Sequence, residues 1–397
     1  MKFYLQQGHG MQQLDIEFVE NNPDTGVILS PRNYRPDQIE RHANELRERN
    51  ASVLFDPQFY QPRTERENIL NYPYWKGVEF ATTDFATNGA EQLCEGVITY
   101  QIEVLQVSEV ILPGRYSNSV TEDWLNIHYV FAETAESMNL DVPVYSTIAL
   151  GPDVIMDRQS LDRLLNELVN YPVDGFYLVV KNPRNFLVTE EIFIYNLLDG
   201  LLSLVLSGKK ILLGYSNQQG LIYASAGVTG LASGNFRNVR SFDPATFDVQ
   251  DTSDRQRRVW YYDANTLSEF RPQSLGLAYQ RGLSGSFGPV CQYCRPLLES
   301  TNPANVPWGE PLAFRHYLTE INRQWLSFST IPPNQRIDHA ISLVDAANQR
   351  LKNLSERGFR LGERSFIDAI EPTLNALTAF KADRQNDLEL LRDMLLE

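Results

Sequence analysis

The residues of this chain whose types and spacing point most directly to chemistry are Cys291-Gln292-Tyr293-Cys294 and His316. Two thiolates three positions apart can clasp one metal ion, and zinc is the usual choice of such sulfur and nitrogen sets. His316, in Phe314-Arg315-His316-Tyr317-Leu318, adds a third ligand where a closed zinc site takes four. Cys94 is a fourth only if its segment folds back onto the pair. A second candidate set is acidic. Asp56 ends Ser52-Val53-Leu54-Phe55, and Asp263 ends Arg258-Val259-Trp260-Tyr261-Tyr262. One carboxylate can trap a reacting carbon covalently while the other shuttles a proton. Asp56 also precedes Pro57, so a plain turn is an equal reading of it. Arg115 can clamp an anion. Lys181 is a Schiff-base nucleophile if desolvated, and otherwise the partner of a strand-end carboxylate. The stretch Gly230-Leu231-Ala232-Ser233-Gly234 reads either as a backbone cradle for a phosphate or flat base, or as room for close helix packing.

These residues need a frame, and the hydrophobic pattern predicts one. Apolar runs begin at Gly26, Ser52, Glu109, Val144, Phe176, Lys210, Gly227 and Arg258, and most are separated by helical periodicity. Runs without alternation are parallel strands covered by helices. Eight such units predict an α/β fold, a TIM-like (β/α)8 barrel, whose chemistry sits where strands end. The expected division is a barrel over residues 1–310 with a long loop insertion at 57–107, then a helical C-terminal region over 311–397. Residues 1–25 read as an arm, and residues 241–256 as an acidic surface loop. Three helices are expected at Leu312–Phe328, Ile337–Arg357 and Ser365–Leu396. The stripes Leu343, Ala347, Leu351, Leu354 and Ile367, Ile370, Leu374, Leu377, Phe380 must be buried on the barrel or on a partner. A homo-oligomer or protein partner through these helices is therefore one expectation.

Composition narrows the classes. The 397 residues carry a net charge of −15 and 43% hydrophobic residues. No run of ~18 apolar residues predicts a membrane span. The N-terminal residues are too polar for a secretory leader, and three cysteines are too few for a disulfide scaffold. A reducing, cytoplasmic setting is expected. An acidic chain repels phosphate backbones, so a nucleic-acid partner needs a local basic patch. Residues 237–295 offer one: eight arginines, no lysine and six acids. Phosphate-loop and dinucleotide fingerprints are absent from the sequence.

In its order of features the chain resembles the tRNA-guanine transglycosylases and their relatives that insert deazaguanines into DNA. Cys291-Gln292-Tyr293-Cys294 and Arg315-His316-Tyr317-Leu318 are similar to that family's zinc segments, with Pro289 where its first cysteine would stand. Thr229-Gly230-Leu231-Ala232-Ser233-Gly234-Asn235 resembles its base-holding Gly-Gly-Leu-Ala-Val-Gly-Glu, with Asn235 in place of the acid. Phe55-Asp56-Pro57-Gln58-Phe59 is similar to its Asp-Ser-Gly-Gly-Phe in the Asp and Phe. The resemblance implies base exchange at a glycosidic carbon, on nucleic acid or nucleoside. It implies Asp56 as acid/base, Asp263 as nucleophile, Gly230, Leu231, Ala232 and Gly234 around the base, and zinc on Cys291, Cys294 and His316. Two rivals stand beside it: a non-catalytic barrel within a larger assembly, and a small-molecule lyase or aldolase using Lys181. A mouth filled by the chain's own side chains favours the first rival, and a buried, unpaired Lys181 the second.

Overall fold

The computed structural model describes residues 1–61, 66–75, 89–248 and 258–396. Nine short strands form one parallel sheet: β1 (Lys2–Gln6), β2 (Gly26–Leu29), β3 (Ser52–Phe55), β4 (Val110–Ile111), β5 (Tyr116–Ser117), β6 (Val144–Leu150), β7 (Gly175–Val180), β8 (Lys210–Leu213) and β9 (Gly230–Ser233). Their order is β3-β2-β1-β9-β8-β7-β6-β4, with β5 added on β6. The two ends of that order meet where the Ser108 N–H donates to the Val53 carbonyl at 2.9 Å. The result is a nearly closed eight-stranded barrel surrounded by helices, as the apolar rhythm predicts.

Two strand assignments differ from the sequence reading. The expected arm contains β1, which pairs with β2 on one side and β9 on the other. The run ending at Asp263 is not a barrel strand. It forms β10 (Tyr261–Asp263), which pairs antiparallel with β11 (Ser268–Phe270) in a separate hairpin. All three β10 residues are buried, so the segment carries the same unalternating apolar signal as a parallel strand.

Alternate strand residues fill the barrel axis: Tyr4, Ile28, Leu54, Ile111, Tyr145, Tyr177, Val179, Leu212 and Ala232. The opposite set packs outward against the helices. Tyr177 needs a neighbour without a side chain, because a Cβ on Gly214 would lie 2.6 Å from its ring. Gly214→Ala should therefore cost about 1–3 kcal/mol through overpacking. Chemical denaturation of the variant checks this, and an unchanged midpoint would show that the tyrosine can move away.

The C-terminal region contains helices Glu310–Ser327, Arg336–Glu356, Ile367–Asp383 and Gln385–Leu396, the last two dividing what reads as one helix in the sequence. Both apolar stripes are covered within the chain. Ala347, Leu351, Leu354, Ile370, Leu377 and Phe380 are buried, while Leu343, Ile367 and Leu374 are partly buried against the same core. The third helix packs on Glu191–Leu206, a crossover helix of the barrel, and on the second. Among the described residues, no helix is long and apolar enough to cross a membrane. Residues 62–65, 76–88 and 249–257, parts of the expected 57–107 insertion and 241–256 loop, lie outside the described residues.

Candidate functional site

Asp56 follows the last residue of β3 and points into the barrel mouth, only 1% exposed. Its carboxylate is held on every side. The hydroxyls of Tyr60 and Tyr215 donate to Oδ2 at 2.8 Å each, and that of Tyr177 reaches it at 3.3 Å. The Gln58 N–H donates to Oδ1 at 2.9 Å. Burial and hydrogen bonding oppose each other here. Four donors favour the charged form, yet removal from water dominates and raises the carboxyl to about 6. Such a group can give or take a proton near neutral pH.

Aromatic rings cover this carboxylate. Tyr60 packs edge-on against Phe242 and Phe247, with both centroid separations at 4.8 Å. The Arg32 guanidinium lies over Phe247 at 5.1 Å and is lowered to about 10 by burial. Tyr116 borders Phe242 at 5.9 Å. Arg115 is buried over Phe59 at 4.6 Å, and burial lowers its guanidinium to about 9. The main-chain N–H of Arg115 donates to His128 Nε2 at 3.0 Å, and the other ring nitrogen donates to the Trp124 carbonyl at 2.7 Å. Arg115 thus braces the mouth instead of reaching into an open pocket.

Lys181 follows β7 at the same end of the barrel. Its side chain is 38% exposed and 3.4 Å from Asp243, which is half exposed. An amine in water beside a carboxylate lacks the desolvation that Schiff-base chemistry requires. Asp243 is the functional candidate that the sequence reading missed, because its segment looks like an acidic surface loop. The available signal was a repeated tripeptide: Phe55-Asp56-Pro57 and Phe242-Asp243-Pro244. Both aspartates sit at the barrel mouth, and both phenylalanines are buried there or beneath it.

Asp263 is not brought to Asp56. It is the last residue of β10, where its carboxylate accepts from Thr266 Oγ1 at 2.7 Å and from the Gly288 N–H at 3.1 Å. Those bonds cap a turn in a hairpin outside the barrel. The glycine segment is not an open cradle either. A Cβ on Gly230 would lie 2.7 Å from Leu212, and one on Gly234 would lie 2.5 Å from the Gln6 carbonyl. Leu231 faces the helices and Ala232 the filled axis, both fully buried. Close packing is the role visible for all four residues.

The thiol–imidazole cluster does assemble. The ligand atoms of Cys291, Cys294 and His316 all lie within 4.8 Å of one another. Cys291 Sγ is 3.2 Å from His316 Nδ1, and the Cys291 N–H donates to Cys294 Sγ at 3.2 Å. His316 Nε2 donates to the Tyr262 carbonyl at 2.6 Å. That bond turns Nδ1 towards the thiols, the usual arrangement around a ligating imidazole. The Tyr261 ring stacks on the imidazole at 4.9 Å. Hydrogen bonding between the two thiols, with His316 beside them, lowers Cys291 and raises Cys294. This donor set could hold a metal ion. Cys94 does not join it: its buried thiol donates to the Phe131 carbonyl at 3.5 Å.

His42 has no partner in the local sequence, yet it meets Asp15 at 3.0 Å, both fully buried. Gln7 also donates to that carboxylate at 2.8 Å, which ties the end of β1 to two flanking helices. The chain matches no known family model and no curated protein, so its chemistry is read from these residues themselves.

Proposed function

We propose that the barrel mouth recognises a nucleobase and exchanges it at a glycosidic carbon of a nucleic acid or nucleoside. The observation that carries this reading is the placement of Asp56: a buried carboxyl near pKa 6 at the strand C-termini, beneath aromatic rings. Asp243 replaces Asp263 as the nucleophile, being the solvent-facing carboxylate of the same mouth. Its oxygen bonds to the anomeric carbon as the carbon–nitrogen bond breaks. The bond pair leaves on the base nitrogen, which takes the proton of Asp56. An incoming base then attacks, the glycosyl ester breaks, and Asp56 recovers a proton from that base. Lys181 orients Asp243 through an exposed ion pair of small energetic weight, about 0–1 kcal/mol. Flat rings at Tyr60, Phe242 and Phe247 suit stacking on a base, which reaches Asp56 by parting them. In this reading Cys291, Cys294 and His316 hold zinc, which would clasp the 291–294 turn to the helix Glu310–Ser327 and leave the chemistry to the mouth.

A second reading has one observation in its favour. Tyr60, Phe242 and Phe247 fill the mouth, as a non-catalytic scaffold barrel would have them. Incubation with labelled guanine or 7-deazaguanine and an RNA hairpin or DNA duplex separates the two. Base exchange predicts label in the polymer and its loss in Asp243→Asn, with the circular dichroism spectrum unchanged. Neither incorporation nor binding of either base would remove the catalytic reading and leave the scaffold.

A further inference from the structure

We propose that a phosphate group binds beyond the end of the eighth barrel strand, β9, in a cavity walled by Arg237, Arg240, Arg258, Arg364 and Trp260. The cavity measures about 70 Å³, well beyond the ~10–15 Å³ that one water needs. Four guanidiniums face two carboxylates, Glu269 and Glu310. Glu269 is already engaged twice, by Arg240 at 2.7 Å and by Arg364 at 2.8 Å. Arg237 makes no ion pair among the described residues; it lies over the Phe186 ring at 5.7 Å. Arg258 is exposed and 3.9 Å from Glu363. Positive charge therefore converges here in a chain of net charge −15.

The walls also hold polar atoms that the fold does not satisfy. Arg240 is 6% exposed, and its Nε–H has no partner. The indole N–H of Trp260 is buried and unpartnered too. Unmade bonds of this kind are costly, and an oxyanion accepts from both. Asn235 Oδ1, a third unpartnered atom on the wall, can accept the hydroxyl of a phosphate monoanion. Arginine forks suit phosphate oxygens, and barrels commonly seat phosphate in the loops after their last strands. The site requires nothing of the mouth chemistry. Its phosphate could be free or part of a nucleotide chain.

Calorimetric titration distinguishes these sources with three probes: inorganic phosphate, a 5′-mononucleotide and a short single-stranded oligonucleotide. Arg237→Ala and Arg258→Ala are the variants, because both side chains are exposed and lie outside the Arg240–Glu269–Arg364 bridge. Saturable binding is expected, weakened on the order of tenfold in each variant, the worth of one charge-assisted hydrogen bond, and lost in the double variant. Equal affinity for all three probes assigns a free phosphate group, and tighter oligonucleotide binding assigns a nucleic-acid backbone. The proposal is overturned if no probe saturates the protein, or if the double variant binds as well as the parent.

Discussion

Asp56→Asn is expected to make the protein more stable relative to the parent as pH rises from 4 to 7, while abolishing base exchange. The parent carboxyl is raised to about 6 from its ordinary 3.8. A raised carboxyl favours the fold when protonated. Between roughly pH 4 and 6 the native state binds more protons than the unfolded chain, so stability falls as pH rises through that window. Two pKa units correspond to about 3 kcal/mol, and full burial leaves little solvent screening to reduce it. Asparagine removes the charge and keeps the shape. Its oxygen can accept from Tyr60 or Tyr215, and its amide can donate to a phenol oxygen. The stability difference between variant and parent should therefore shift by about 3 kcal/mol towards the variant across the window. Urea unfolding at pH 4, 5, 6 and 7 measures it. A difference independent of pH would mean that the four donors cancel the effect of burial and leave the Asp56 carboxyl at its ordinary value. Loss of exchange alongside a gain in stability at pH 7 would mark Asp56 as a group kept for function at a structural cost.

The barrel was legible because parallel strands buried on both faces announce themselves as unbroken apolar runs. Seven of its eight principal strands carry that signature. β1 does not, because Tyr4 and Gln6 point to an interior that is partly polar, and Lys2 opens the strand. The missing strand was supplied instead by Val259 to Asp263, since a buried hairpin strand is as apolar as a parallel one. That exchange misplaced Asp263. Once the eighth strand is β9, the residues following it belong to the mouth, and Asp243 moves from a surface loop to the site. The glycine segment was legible as close packing but not as filled space, because a cradle and a packed contact demand the same small residues. The thiol cluster needed only spacing and a helix, so it was readable throughout. What sequence cannot show is the Tyr262 carbonyl behind His316, fifty-four positions away.

That carbonyl bears on the second large effect. Cys294→Ala is expected to release one zinc per chain and to lower stability by about 4 kcal/mol or more, the range in which loss of a metal belongs. Zinc would join the 291–294 turn to the helix bearing His316, which already packs on β10 through Tyr262, whose hydroxyl donates to Gln324 at 2.7 Å. Each ligand must be deprotonated to bind, and the cluster already favours this at Cys291. Three protein ligands leave a fourth position that water or a small anion can take. Metal analysis of the purified protein should give one zinc per chain, and a chelator should reproduce the unfolding midpoint of Cys294→Ala. The effect should be confined to stability, because the cluster stands on the 291–294 turn and a helix outside the barrel while Asp56 and Asp243 stand at its mouth. Protein purified without metal, with the same midpoint before and after chelator, would reduce the three residues to a hydrogen-bonded thiol pair and an imidazole. Zinc that is present but whose removal abolishes exchange without lowering stability would place the metal in the reaction, against the clasp assigned to it here.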